Sequence, residues 1–181
     1  MSTRILIVYE SRYGYSAAYG KWMAEEWGAA AVESRCLTAE LLAGCDTLIA
    51  GGGLYAGRIG CAAALRKWEK QLGGKRLFFY TVGLAPVDDP AVFRPVIDKN
   101  FSPELLRRIR FFHFRGGMDF QKLGPVHRLM MQMMRKMLLK KKTLTDDDRS
   151  LLAAYDTPVD MTDREAIRPL ADAVREGRQA D

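Results

Sequence analysis

Short apolar runs alternate with segments of helical periodicity along most of the chain. Five runs rich in β-branched, aliphatic and aromatic side chains are typical of strands buried on both faces, and they lie at 4–9, 31–36, 46–50, 76–82 and 110–115. The segments between and after them predict helices at 17–27, 39–43, 61–71, a region from 88 that contains Pro95, a segment from 103, and 163–177. Because strands and helices alternate, we predict an α/β fold with a parallel sheet covered on both faces, in one domain over 1–181.

Polar residues and prolines mark the expected boundaries of several helices. Thr38 and Ser102 are predicted N-caps, and Pro103 follows Ser102 at the first helical position. Thr162 is predicted to cap the last helix, with Glu165 three residues later completing a capping box. Pro95 favours a kink or a break in its helix.

The segment 118–156 does not fit this alternation, and we interpret it as a basic helical insertion before the last helix. Within it, Pro125–Lys142 has apolar residues at intervals of three and four, which predicts an amphipathic helix. The apolar face consists of Val126, Leu129, Met130, Met133, Met134, Met137 and Leu138. The basic residues are Lys122, Arg128, Arg135, Lys136 and Lys140–Lys142, with no acidic residue between Lys122 and Lys142.

The methionine-rich face of this helix allows several roles. Core packing is the simplest of them. A basic amphipathic helix also suits an anionic membrane surface, an oligomer contact, or an adaptable ligand site for a quinone tail or a large planar substrate. Nucleic acid is not an expected partner, because aromatic side chains are not interleaved with the positive charges. The run Asp146–Asp148 is expected to form a solvated turn or a helix cap.

Composition narrows the classes of protein to consider. The 181 residues carry a formal net charge of +6, with an isoelectric point near 9.3. No run of about 18 apolar residues is present, and the N-terminus enters a strand without a signal segment. We therefore expect a cytoplasmic protein, either free or peripheral on the inner membrane face.

The cysteines and histidines do not suggest a metal site. Cys36, Cys45 and Cys61 are too far apart for metal or redox motifs, and two histidines cannot build a metal site alone. We therefore expect reduced thiols and no metal.

The first strand leads through a hydroxyl-rich loop into the first helix. Such a loop can hold a phosphate, because N–H groups without helical partners converge there and the helix dipole favours negative charge. The loop has Ser11, Gly14 and Ser16 in the order hydroxyl-x-x-Gly-x-hydroxyl. It has one glycine where a dinucleotide fingerprint needs three, and no Gly-Lys-Ser/Thr follows as in a Walker loop. An ordinary capped turn is the simpler alternative.

Two further unusual segments follow the third and fourth predicted strands. Residues 51–60 contain five glycines, which predicts a loop that a ligand can approach closely, with Leu54 and Tyr55 suited to packing on a flat ring. Residues 83–86 form another loop. Because ligands of doubly wound sheets bind at the carboxyl ends of the strands, we expect the loops 11–16, 51–60 and 83–86 to converge on one site.

The loop motif and the order of elements resemble flavodoxins. The pattern of residues 11–16 is similar to the FMN phosphate loop of those proteins, although Tyr13 stands where a smaller hydroxylic residue is usual. The resemblance implies a flavodoxin-like, doubly wound, five-stranded parallel sheet with strand order 2-1-3-4-5, and FMN as the cofactor. Flavodoxins that carry electrons are typically acidic, so the positive charge argues against that role alone.

A narrower resemblance rests on the loop 10–16, the turn Gly116–Phe120 and the basic methionine-rich helix that follows. Together these look like the menaquinone-dependent protoporphyrinogen oxidase family. By that resemblance, the phosphate would be held by the hydroxyls of Ser11 and Ser16 and by the backbone of the whole loop, which consists of Ser11, Arg12, Tyr13, Gly14, Tyr15 and Ser16. One side of the flavin ring would be flanked by Gly53, Leu54, Tyr55 and Ala56, and the other would be lined by backbone groups of Thr81, Val82, Gly83 and Leu84. Gly117 and Asp119 would lie near its outer rim.

The resemblance implies an FMN-dependent oxidoreductase that passes electrons from a reduced small molecule, such as protoporphyrinogen IX, to a quinone. The chemistry would belong to the flavin, and no side chain is assigned as a general base or nucleophile. A flavodoxin-type electron carrier without its own substrate and a flavin-free binding module are the alternatives.

Overall fold

The central sheet contains five parallel strands. The computed structural model describes residues 4–55, 57–85 and 90–176, except for the side chains of 90–92 and 147. The parallel strands are β1 (Ile5–Glu10), β2 (Ala30–Glu33), β3 (Thr47–Tyr55), β5 (Arg76–Gly83) and β6 (Ile109–Arg115), and β4 (Arg58–Ile59) pairs antiparallel with β3. The order β2-β1-β3-β5-β6 confirms the predicted order of the five main strands and the flavodoxin-like α/β fold.

Helices cover both faces of this sheet. They are α1 (Tyr15–Trp27), α2 (Ala39–Ala43), α3 (Ala62–Lys67), α4 (Pro90–Asn100), α5 (Pro103–Arg108) and α8 (Arg168–Glu176). Successive strand residues point to opposite faces, so Leu6 and Val8 enter one core layer while Ile7 enters the other. The first layer packs against α2 to α5, and the second packs against α1 and α8 through residues such as Tyr19 and Leu170.

The segment 51–55 was expected to be a loop, and that prediction is wrong. Gly51–Tyr55 continue β3, and β3 turns back into β4 as a hairpin. The glycines serve packing, because a Cβ at Gly51 would lie well under 3.0 Å from the buried ring of Tyr80. A Cβ at Gly53 would lie 2.5 Å from the ring of Tyr55. The strand therefore has side-chain-free positions where two tyrosine rings lie against its backbone.

The helix boundaries agree with the predictions in part. Thr38 and Ser102 accept hydrogen bonds from Leu41 N–H and Leu105 N–H, so both predicted caps are confirmed. Thr162 is not the last cap, because the carboxylate of Asp163 accepts from Glu165 N–H and a 3₁₀ turn precedes α8. The predicted helix 61–71 divides into α3 and the 3₁₀ turn Glu69–Leu72. Pro95 lies inside α4 without breaking it.

The insertion forms a packed unit beside the carboxyl ends of the strands. It contains the 3₁₀ turn Phe120–Lys122 and the helices α6 (Pro125–Leu139) and α7 (Asp146–Ala153). The strand β7 (Gly117–Met118), where the insertion begins, pairs with the strand β8 (Val159–Asp160), which follows the insertion. The helix predicted to reach Lys142 ends at Leu139. Tyr155 Oη donates to the Met131 carbonyl at 2.6 Å, which ties the chain after α7 to α6.

Asp148 links both helices of the insertion. Its carboxylate accepts from Lys141 Nζ at 2.8 Å and completes a capping box with Thr145 at the start of α7. The prediction of a turn or cap in this acidic run is thereby confirmed. These bonds lower the pKa of Asp148, with the Lys141 contact as the largest cause.

The outer side of α6 is apolar and exposed. Val126, Leu129, Met133 and Met137 are 70%, 59%, 59% and 71% exposed, respectively, whereas Leu138 on the inner side is buried. Most of the predicted apolar face therefore does not serve core packing. Within the part of the chain that the structure describes, no helix is long and apolar enough to cross a membrane.

Candidate functional site

A cavity of about 530 Å³ lies at the carboxyl ends of the parallel strands. Its floor and sides come from four places at the ends of strands: the start of α1 after β1, the hairpin of β3 and β4, the end of β5 with the residues after it, and the turn after β6. Its remaining wall belongs to the insertion. The cavity thus lies where a doubly wound sheet binds its ligand.

The loop between β1 and α1 leaves N–H groups available to an anion. Gly14 adopts a left-handed φ of 95° and turns the chain into α1, and its N–H donates to Ser11 Oγ at 3.1 Å. The first bond of the helix runs from Ala18 N–H to the Gly14 carbonyl. The N–H groups of Tyr15, Ser16 and Ala17 have no hydrogen-bond partner among the described residues. The first turn of α1 contains no acidic residue that would repel an anion.

Positive charge lies beside this loop. A second cavity of about 310 Å³ adjoins the first and shares Tyr13 and Tyr15 with it. Arg12 and Lys122 line it together with Asp119, whose carboxylate pairs with Lys122 Nζ at 2.9 Å. The contact with Lys122 is the largest cause of the lowered pKa of Asp119.

The segment after β5 is held in place through three successive carbonyl groups. Gly116 N–H donates to the Gly83 carbonyl at 2.8 Å, Arg115 Nη2 donates to the Leu84 carbonyl at 3.3 Å, and His113 Nε2 donates to the Ala85 carbonyl at 3.3 Å. All three donors belong to the end of β6 or follow it directly. This side of the cavity is therefore preorganised by the neighbouring strand.

His113 is a neutral structural histidine beneath this segment. Because a carbonyl can only accept, Nε2 carries the hydrogen, and Nδ1 accepts from Thr81 Oγ1 at 2.8 Å. The ring stacks on Phe93 at 3.8 Å between centroids. Burial lowers the pKa of His113 to about 4, so the ring stays uncharged near neutral pH.

Three aromatic rings meet where the insertion touches the loop 11–16. Tyr13 Oη and His127 Nδ1 are 2.7 Å apart, and Gly124 N–H donates to the same hydroxyl at 3.3 Å. The rings of Tyr55 and His127 stack at 5.0 Å with an interplanar angle of 10°. Burial raises the pKa of Tyr55 to about 12, so this phenol stays protonated. The hydroxyl of Tyr13 thus binds the insertion, at the loop position where flavodoxins usually have a smaller hydroxylic residue.

The cavity brings together most of the residues predicted for the site. Lining residues from the prediction are Tyr13, Tyr15, Ser16, Leu54, Tyr55, Val82, Gly83, Leu84 and Gly117. Arg12 and Asp119 line the adjoining cavity. Ser11, Gly14, Gly53 and Thr81 line neither of the two, and the Thr81 hydroxyl is directed to His113. Ala56 lies outside the described residues.

Sequence reasoning did not assign the wall that the insertion contributes. That wall contains Met118, Leu123, His127, Met130, Met131, Met134, Asp148 and Leu151. The methionine spacing indicated an adaptable ligand site as one option, but it could not separate inward methionines from outward ones. No sequence signal marked His127, which meets Tyr13 across 114 positions of the chain.

The residues present fit FMN. The free N–H groups of the α1 start and the nearby Arg12 suit a phosphate. The apolar space between Tyr55 and the segment Gly83–Ala85 suits a flat ring, and the volume lies within the roughly 300–1,000 Å³ typical of ligand pockets. Among the described residues, no cluster of three side chains could hold a metal ion.

A parallel sheet in this order, with a cavity at the carboxyl ends of its strands, defines the class of flavodoxin-like α/β proteins. The sequence model of the family described as "Flavodoxin domain" matches residues 6–146, well over half of the chain, and the chain belongs to this family. Membership indicates a flavin-dependent electron-transfer role, and such proteins typically bind FMN.

A solved structure described as a flavodoxin from the domain Archaea is also similar to this chain. Its sequence is 8% identical, the TM-score is 0.37, and the match covers 84% of this chain and 96% of that one. No curated protein sequence matches significantly.

Proposed function

We propose that this protein is an FMN-dependent oxidoreductase that acts on a small molecule with a large apolar part. One observation carries the proposal: Met130, Met131 and Met134 of the insertion line the same cavity as the loops expected to hold the flavin. A small molecule bound beneath these methionines would lie against the flavin position, shielded from water. Flexible methionine side chains adapt to flat or irregular apolar ligands.

FMN would supply the exchange of electrons, and the chain would supply binding, orientation and exclusion of water. The loop 11–16 would hold the phosphate through its free N–H groups. Leu54 and Tyr55 would pack on one side of the ring, and Val82–Leu84 on the other. The turn Gly116–Asp119 would lie at the rim, next to the insertion.

Two alternatives predict different behaviour from the same cavity. A plain electron carrier exchanges electrons with a partner protein and needs no small-molecule compartment, so the methionine wall favours the oxidoreductase. A flavin-free module would bind no FMN. The narrower hypothesis, oxidation of protoporphyrinogen IX or a similar substrate with a quinone acceptor, rests only on the sequence resemblance, and the apolar wall is compatible with it.

Retention of FMN tests the proposal directly. We expect the protein, incubated with FMN and washed free of unbound flavin, to keep a flavin absorption spectrum at close to one equivalent. Riboflavin is the matched control ligand, because it has the same ring but no phosphate, and it should be retained less. Loss of all flavin on washing would contradict both redox functions and leave the flavin-free module.

We further propose that the outer face of α6 binds an anionic lipid surface. Four of its six exposed apolar residues, Val126, Leu129, Met133 and Met137, form a stripe. Lys136, Lys140 and Lys142 beside the stripe have no ion-pair partner among the described residues, whereas Lys141 is paired with Asp148. An apolar face with flanking positive charge suits the headgroup region of an anionic bilayer. Met130 and Met134 lie between this stripe and the cavity, which would give a lipid-dissolved substrate an apolar route inward.

Vesicle sedimentation tests this surface. Binding to vesicles that contain phosphatidylglycerol should exceed binding to pure phosphatidylcholine and weaken with added salt. The double variant Met133→Glu/Met137→Glu should lose about tenfold or more in affinity, because both apolar burial and charge attraction decrease. The control Ala63→Glu/Gln71→Glu changes the net charge equally at exposed positions outside the insertion. Equal losses in both double variants would contradict a role for the apolar stripe.

A further inference from the structure

His127 is the imidazole that the insertion brings to the cavity wall. It lies near the start of α6, and Tyr13 from the loop 11–16 contacts its Nδ1 at 2.7 Å. Tyr13 is itself fixed by Gly124 N–H, and Tyr55 stacks on the other side of the imidazole. Two elements of the flavodoxin domain therefore hold this ring in one orientation.

The second ring nitrogen of His127 is available to a ligand. Nε2 has no hydrogen-bond partner among the described residues, while the ring lines the cavity. The Tyr13 oxygen can accept the Nδ1 hydrogen in both the neutral and the cationic ring. In that tautomer Nε2 can take up and release a proton without breaking the bond that orients the ring.

Burial and the charge of Arg12 favour the neutral form of His127. Arg12 and Tyr13 face it from the loop 11–16, Tyr55 faces it from β3, and Arg128 on its own helix turns away to the Gln121 carbonyl. Burial first, and the Arg12 charge second, lower the pKa of His127. A neutral imidazole is the form that can accept a proton from a substrate near neutral pH.

We propose that His127 exchanges the substrate proton through Nε2, with Tyr13 as the positioning residue. The proposal rests on the proposed function. A substrate with a C–H bond next to an N–H or O–H would transfer the C–H hydrogen with both electrons to the bound flavin. The N–H or O–H proton would pass to Nε2, and a double bond would form between the two substrate atoms. With a quinone as the acceptor, the His127 imidazolium would return the proton through Nε2, and bound FMN would supply the hydride.

A flavin-free measurement tests the geometry. The chain has two histidines, His113 and His127. In nitrogen-detected NMR, the imidazole resonances that disappear in the variant His127→Asn belong to His127, and those that remain belong to His113. We expect the neutral His127 ring of the flavin-free protein to carry its hydrogen on Nδ1 and its pKa to lie below the ordinary value of histidine. Tyr13→Phe should weaken this tautomer preference. A neutral ring with its hydrogen on Nε2 would overturn the proposal, because Nε2 would then have no lone pair to accept a proton.

A kinetic measurement tests the proton transfer. The FMN-loaded protein is reduced and mixed anaerobically with 2-methyl-1,4-naphthoquinone at a series of pH values. The wild-type rate should fall as pH rises through the His127 pKa found by NMR, because the imidazolium is the proton donor. His127→Asn, whose amide can still contact Tyr13, should be slower by about 100-fold or more and lack this pH step when both proteins are compared at full FMN loading.

The two proposals fail in different ways. A wild-type protein that binds no FMN overturns the proposed function and this inference with it. A protein that binds FMN, but whose rate and pH profile are the same in the wild type and in His127→Asn, overturns the role of His127 alone.

Discussion

Ser11→Asp is expected to weaken FMN binding by about 100-fold, whereas Ser11→Asn should bind nearly as well as the wild type. Ser11 Oγ accepts from Gly14 N–H, and both Asp and Asn can accept the same hydrogen bond and keep the turn. The aspartate adds a negative charge where the phosphate is expected. Like charges about 4 Å apart repel by roughly 1–4 kcal/mol, depending on exposure to solvent, and 1.4 kcal/mol changes affinity tenfold.

Quenching of FMN fluorescence during titration with each variant gives the dissociation constants. Urea unfolding of the flavin-free variants serves as the control, and we expect similar free energies of unfolding because the turn is kept. Equal FMN affinity in the Asp and Asn variants would place the phosphate away from Ser11. Riboflavin affinity should be nearly the same in both variants, since riboflavin has no phosphate for the carboxylate to repel.

The order of the sheet and the place of the site follow from local sequence patterns. Five apolar runs separated by helical segments leave few arrangements of a parallel sheet, because crossovers between parallel strands are right-handed. The residues that indicate a phosphate site in the loop 11–16 all lie in one hydroxyl-rich stretch that leads from a strand into a helix. Ser11, Gly14 and Ser16 could therefore be assigned together from the sequence.

The side of the site that depends on distant contacts could not be predicted. Tyr13 and His127 meet only because the insertion folds back over the carboxyl end of β1, and neither residue has a neighbour in sequence that indicates the contact. Thr81 was expected to line the flavin through its backbone, like Val82–Leu84, and this stays a prediction. The contact between the Thr81 hydroxyl and His113 Nδ1, at 2.8 Å, joins two neighbouring strands and had no local signal in the sequence.

The glycines of β3 show a different limit of sequence reasoning. Three consecutive glycines usually mark a loop, because glycine is unfavourable inside a strand. Here Gly51 and Gly53 lie under tyrosine rings that belong to β5 and to the end of β3 itself. The preference of three glycines for a loop is overridden by the packing of the tyrosine rings. This packing exists only when β3 and β5 are paired, so the local sequence does not indicate it.

Gly51→Ala should destabilise the protein by about 3 kcal/mol, at the upper end of the usual cost of overpacking a core. The added methyl group would overlap the ring of Tyr80, which is fully buried and has its hydroxyl bonded to the Ser16 carbonyl at 3.0 Å. The ring cannot move without breaking that bond or displacing β3. Urea unfolding followed by circular dichroism measures the change in the free energy of unfolding.

Gly73→Ala is the matched control for this substitution. A Cβ at Gly73 has no atom within 4 Å, and its φ of −53° is one that alanine adopts freely, so we expect a change within about 0.5 kcal/mol. Because Tyr80 also holds the start of α1 through Ser16, Gly51→Ala should weaken FMN binding as well, although it lies outside the cavity lining. A Gly51→Ala protein as stable as the Gly73→Ala control would show that β3 and Tyr80 are not in this close contact, and the packing explanation for the glycines would be wrong.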